Sequence, residues 1–161
     1  MTAPLFLDLD GVLADFDASV RATTGRLPRD LTARAMWKAL AAHPDFYGTL
    51  DMMADAPDLW AFCAPLRPTI LTGLPMGRWA EPQKRAWVAR VLGADVPVVA
   101  CLSREKHRWS GPGHVLVDDR RDLRDRWEAA GGTFVHHTTA AASVAALRAH
   151  GFGERSAPTG G

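Results

Sequence analysis

Cysteine is scarce, charge is nearly balanced, and no long apolar run occurs. The 161-residue chain has two cysteines, Cys63 and Cys101, each isolated in an apolar segment. That pattern excludes a disulfide-framed secreted module and reads as two buried free thiols. The formal net charge is +1, so no bulk field draws the chain to a nucleic-acid polymer or an anionic membrane. No apolar stretch reaches the roughly 20 residues that span a bilayer. A strand-like run begins within a few residues of the N-terminus and leaves no space for a secretory leader, so a cytoplasmic location is expected. The six histidines lack metal-ligand spacing, and there is neither an internal repeat nor a long low-complexity tract. What remains is an ordinary globular composition, 47% hydrophobic and 23% charged, enough for one domain with a sizeable core.

Short β-branched runs alternate with helical ones. Residues 4–9, 68–72, 96–101, 114–118 and 132–136 read as buried strands bounded by Gly or Pro. Helices are expected from Glu81-Pro82 to Gly93, from Asp119 to Ala130 and from Ala140 to His150. The alternation predicts an α/β, doubly wound parallel sheet of five strands with helices on both faces. Residues 17–65 interrupt it with helical segments near 17–24, 30–42 and 55–64, and are expected to form a small helical cap inserted after the first strand. The core then comprises 1–16 and 66–151, with a flexible tail over 152–161.

The polar residues fall at strand ends. Asp8 and Asp10 close the first strand, Thr72 and Gly73 the second, and Asp118 and Asp119 the fourth. Lys106 lies in the polar segment Ser103–Arg108 after the third. Ligands of open parallel sheets bind beyond the carboxyl ends of the strands, so these groups converge on one crevice. Four carboxylates there repel one another and call for a cation, and oxygen-only ligands favour Mg²⁺. Thr72, the Gly73 backbone and Lys106 offer donors and charge to phosphate oxygens. Asp8 is placed as nucleophile and Asp10 as acid/base. The expected partner is a small phosphorylated molecule; oligomeric state is not legible.

In this order the motifs DLDGVLADF (8–16), ILTG (70–73), SREK (103–106) and VLVDDR (115–120) resemble those of the haloacid-dehalogenase superfamily of phosphatases. Phe16, the segment EPQKRAWVARVLG (81–93) and Arg120 make the chain most similar to its 5'(3')-deoxyribonucleotidase branch. The resemblance implies a Rossmann-like core and a 5'-nucleotidase-like phosphatase. It implies an aspartyl-phosphate on Asp8, acid/base action by Asp10 and Mg²⁺ held by Asp8, the Asp10 carbonyl and one of Asp118 and Asp119. Thr72 and Lys106 would hold phosphate. Phe16, with Trp37, Phe46 and Tyr47, would form an apolar wall for a base, and Arg120 would approach the substrate. That branch carries serine where this chain has Gly73, which removes one contact.

Lys84 also competes for the phosphate role. Read against an apolar face of Ala86, Val88 and Leu92 it is a solvated or helix-capping residue, and Lys106 is preferred. Trp87 and Trp127 are assigned to the core; Trp79 is a candidate to overhang the crevice. The alternatives are a phosphatase for another small phosphomonoester, a dehalogenase of the same superfamily, and a non-hydrolytic phospho-acceptor or binding domain. In phospho-acceptor receivers the adjacent acid pair precedes the lysine, whereas here it follows Lys106.

Overall fold

Leu5, Phe6 and Leu7 form the shortest strand, β1, and the rest of the sheet is built around it. The computed structural model describes residues 3–154. β1 (Leu5–Leu7) pairs on one side with β2 (Thr69–Gly73) and on the other with β4 (Val115–Asp118). β3 (Val98–Cys101) lies outside β2 and β5 (Thr133–His136) outside β4, giving the order β3-β2-β1-β4-β5 with every pair parallel. This is the five-stranded, Rossmann-like α/β sheet expected from the sequence.

Side chains alternate across the sheet as the two-residue strand period requires. Leu5, Leu7, Ile70, Val115, Val117 and Val135 join one apolar cluster. Phe6, Leu71, Leu116 and Phe134 join a second on the opposite face. Both faces are covered, which explains strands that read as unbroken apolar runs.

Among the described residues there are six α-helices: α1 (Phe16–Thr24), α2 (Ala33–Ala42), α3 (Ala56–Cys63), α4 (Ala80–Val91), α5 (Arg124–Ala129) and α6 (Ala140–Ala149). Asp15, Thr32 and Thr139 cap α1, α2 and α6, each side chain accepting from a backbone N–H three residues on. α5 covers the smaller face through Trp127. It begins later than the expected Asp119, because Arg121–Leu123 form a 3₁₀ turn and the Arg120 N–H is held by the Asp118 carboxylate.

Residues 17–65 have no core of their own. Val20, Met36, Leu40, Phe46, Tyr47 and Leu59 belong to the same cluster as the sheet residues, and α3 packs along α6. At the other end Phe152 is only 5% exposed and joins this cluster. The expected flexible tail therefore does not start at 152; its residues 155–161 lie outside the described range. Both cysteines are free and buried, burial pushing the Cys63 thiol up to about 12. Among the described residues no helix is long and apolar enough to cross a membrane.

Candidate active site

From β1 the chain builds outward through β2 to β3, then returns to the far side of β1 for β4. The reversal beside β1 is where such sheets bind ligands. Asp8 stands there, its N–H still paired to the Val117 carbonyl at 2.9 Å. The backbone then folds sharply, with the Val12, Leu13 and Ala14 N–H groups all directed at the Leu9 carbonyl. Leu9 is fully buried, so the acids on either side of it, Asp8 and Asp10, line the crevice. Gly11 makes the turn at φ +78°, and a Cβ there would collide with the Asp119 carboxylate. Position 11 thus needs glycine both for its backbone and for the approach of Asp119.

Two buried lysines, one for each acid, organise the site. Lys106, from the 3₁₀ segment Ser103–Trp109 after β3, donates to Asp8 Oδ1 at 2.8 Å and to Asp118 Oδ2 at 2.7 Å. Burial works against its charge, but Asp8 and Asp118 outweigh that and hold its pKa above the ordinary lysine value. Lys84 is 1% exposed. It donates to Asp10 Oδ2 at 2.9 Å, to Thr72 Oγ1 at 3.0 Å and to the Gly73 carbonyl at 2.6 Å.

The expectation of a solvated Lys84 is therefore wrong. The buried stripe of α4 is Ala80, Lys84, Trp87 and Val88, spaced i, i+4, i+7, i+8. Taking Ala86 as part of the apolar face rotated the helix and put Lys84 on the outside. A lysine inside that stripe was the available signal.

Asp8, Asp118 and Asp119 each offer a carboxylate oxygen, all within 4.8 Å of one another. Asp118 is fully buried with both oxygens engaged, by Lys106 and by the Arg120 N–H. Burial and then the Asp8 charge raise its pKa to about 6. Asp119 is exposed to the crevice; loss of hydration, then Asp8 and Asp118, push it up to about 8. Asp10 Oδ1 is buried without a partner, and the Asp10 carboxyl is raised chiefly by burial, against the pull of Lys84. Clustered oxygens and mutual repulsion that a cation would relieve fit a hard divalent metal such as Mg²⁺.

The crevice holds about 730 Å³, enough for a nucleotide-sized ligand. Asp8, Asp10, Phe16, Trp37, Gly73, Lys106, Asp119 and Arg120 line it. Phe16 and Trp37 pack with ring centroids 5.8 Å apart. Arg120 is tied to Asp122 at 2.7 Å. Tyr47 and Phe46, expected on the wall, are fully buried. Tyr47 instead stacks on Trp79, centroids 5.8 Å apart, and lies 4.7 Å from the Lys84 ammonium. Tyr47 and Trp79 thus back the wall rather than face the ligand space. Thr72 is also fully buried, its hydroxyl accepting from Lys84. Sequence reasoning missed Arg34 on α2, Met76 after β2, and Ser103 and Arg104 after β3, all of which line the crevice. Nothing in the local pattern at Arg34 or Met76 distinguishes them from solvated residues.

Neither a scan against protein-family models nor a search of curated proteins found a match. Solved structures do match in fold. A hydrolase from Streptococcus pneumoniae TIGR4 aligns over 92% of this chain and 100% of its own, at 13% identity and TM-score 0.54. A HAD-superfamily hydrolase from Ehrlichia chaffeensis aligns over 93% and 98%, at 9% identity and TM-score 0.56. A HAD family hydrolase from Deinococcus radiodurans R1, with bound phosphate and sodium, aligns over 91% and 88%, at 14% identity and TM-score 0.52. At these identities the likeness is one of fold.

Proposed function

We propose that the protein is a haloacid-dehalogenase-type hydrolase that cleaves small phosphomonoesters with the help of Mg²⁺. The observation carrying this reading is the pairing of Asp8 and Lys106 at the tip of the central strand, inside a cluster of three further acids. A phosphate-bound structural neighbour supports it.

Asp8 attacks phosphorus, forming its O–P bond as the bond to the leaving oxygen breaks. Asp10, kept above the ordinary carboxylate range by burial, gives that oxygen a proton and then takes one from the water that cleaves the acyl phosphate. Lys106 fixes the Asp8 carboxylate, and Lys84 fixes Asp10. Mg²⁺, held by Asp8, Asp119 and the Asp10 carbonyl, would neutralise charge on the phosphoryl group.

The substrate proposed is a nucleoside 5'-monophosphate, the base resting on Phe16 and Trp37, with Arg34, Arg104 and Arg120 at the rim. Trp37 and Arg34 come from the 17–65 insertion, which acts as the selecting cap. The proposed setting is the cytoplasm, where two free thiols are stable.

Hydrolysis of an aryl phosphate with and without Mg²⁺, by wild type and Asp8→Asn, tests the mechanism. The expected result is metal-dependent turnover lost in the variant. Metal-independent turnover, full activity in Asp8→Asn, or activity only on 2-haloacids would overturn it. A panel of nucleotides and sugar phosphates tests the substrate: equal rates on both would defeat the nucleotidase assignment alone.

A further inference from the structure

Gly73 ends β2 at the crevice, and the space beside its Cα is already taken. A Cβ built on Gly73 would collide with the Ser103 hydroxyl and lie 3.2 Å from Ser103 Cβ. A side chain entering from position 73 and one entering from position 103 are therefore alternatives for one volume. This chain fills it from 103, with a hydroxyl. Ser103 opens the 3₁₀ segment that carries Lys106, and residues i and i+3 of a 3₁₀ helix eclipse. The Ser103 hydroxyl and the Lys106 ammonium thus project from one side of the segment, and both residues line the crevice with Asp8 and Asp10. Thr72, the hydroxyl residue beside Gly73, is fully buried and engaged by Lys84. Ser103 is half-buried.

We propose that Ser103 is a substrate-binding residue whose hydroxyl donates a hydrogen bond to an oxyanion oxygen of the phosphoryl group, and that Gly73 is glycine to make room for it. The inference rests on the phosphomonoesterase reading and deepens it: the phosphate is held from position 103 together with Lys106. No bond is made or broken by Ser103.

Calorimetric titration with inorganic phosphate in the presence of Mg²⁺ tests this, using wild type, Ser103→Ala, Gly73→Ser and the exchanged pair Gly73→Ser/Ser103→Gly. A hydrogen bond to a charged group predicts a loss of about tenfold to a hundredfold in phosphate affinity for Ser103→Ala, with the melting temperature unchanged. Gly73→Ser alone should weaken binding and lower the melting temperature. The exchanged pair, which returns one hydroxyl to the same volume, should recover affinity to within a few-fold of wild type. Wild-type affinity in Ser103→Ala, or an exchanged pair no better than Gly73→Ser, overturns the proposal while leaving the hydrolase reading intact. A wild-type protein that binds no phosphate overturns both.

Discussion

Replacing Lys84 by methionine keeps the aliphatic stem and removes the ammonium, and the structure sets the cost. Nζ makes three contacts of 3.0 Å or less, to Asp10, Thr72 and Gly73. Removing one partner of a buried ion pair costs about 3–5 kcal/mol, because the other charge stays behind unpaired. The Asp10 side chain retains 24% of its exposure, so water restores part of its hydration and the lower end applies, about 3 kcal/mol. A solvated lysine would instead change stability by no more than about 0.5 kcal/mol. The two readings of Lys84 therefore differ about sixfold in an easily measured quantity. Urea unfolding of the metal-free protein at pH 7 reads it, with the exposed Lys38→Met as control. For a chain of this size the expected loss corresponds to roughly 6–12 °C in Tm. Combining Lys84→Met with Asp10→Asn removes the stranded charge, so the double variant should be at least about 1 kcal/mol more stable than the sum of the singles predicts. A Lys84→Met loss below about 1 kcal/mol, or strict additivity with Asp10→Asn, would refute the argument.

Other consequences are independent of that pair. Gly11 and Gly25 both have φ near +78°, but a Cβ at Gly25 meets open space while one at Gly11 meets Asp119. Gly25→Ala should cost about 1 kcal/mol and Gly11→Ala clearly more, the excess vanishing in Gly11→Ala/Asp119→Gly; equal costs in denaturant unfolding would contradict the collision. Phe152→Ala should cost about 3–5 kcal/mol, since the ring is buried; a loss within about 0.5 kcal/mol would return it to the tail. His137, buried with Nδ1 2.7 Å from Ser143 Oγ, is held below its ordinary pKa by burial, partly offset by Asp55. The unfolded chain then binds more protons as pH falls through about 6.5, so this residue removes up to about 1.4 kcal/mol of stability per pH unit on the acid side. His137→Gln should flatten that limb of the stability–pH curve, and an unchanged slope would argue against it.

Legibility from sequence followed the range over which each interaction acts. Strands read well because alternation across a doubly covered sheet leaves an unbroken apolar run, as at Val115–Val117. The starts of α1 and α6 lie within a residue of expectation, their caps Asp15 and Thr139 bonding within three residues, whereas α2 begins at Ala33 rather than 30 because Thr32 caps it. α5 read poorly because its start depends on Asp118, whose side chain holds the Arg120 N–H. Tyr47 and Phe152 were misplaced because their partners lie far away in the chain: Trp79 for the first and the shared core for the second. Lys84 was misread for the same reason. Its acid is 74 residues away, and no local pattern distinguishes a lysine aimed at a buried carboxylate from one aimed at water, except its register in the buried stripe of α4.

That register also brings a second lysine into the site beside Lys106. Asp8, Asp10, Asp118 and Asp119 bring four formal negative charges to one crevice, and Lys84 and Lys106 bring two positive ones. With all four ionised, the excess equals the charge of one divalent cation, as the proposed Mg²⁺ would supply. The division is also unequal by function. Lys106 lies against Asp8, the proposed nucleophile, and bridges it to Asp118. Asp10 is paired with Lys84 yet has one oxygen buried without a partner, and burial raises its pKa against the pull of Lys84. The same two-residue spacing that puts both acids in the crevice thus gives them different surroundings: Lys106, shared with Asp118, for Asp8, and Lys84 with one unpartnered oxygen for Asp10.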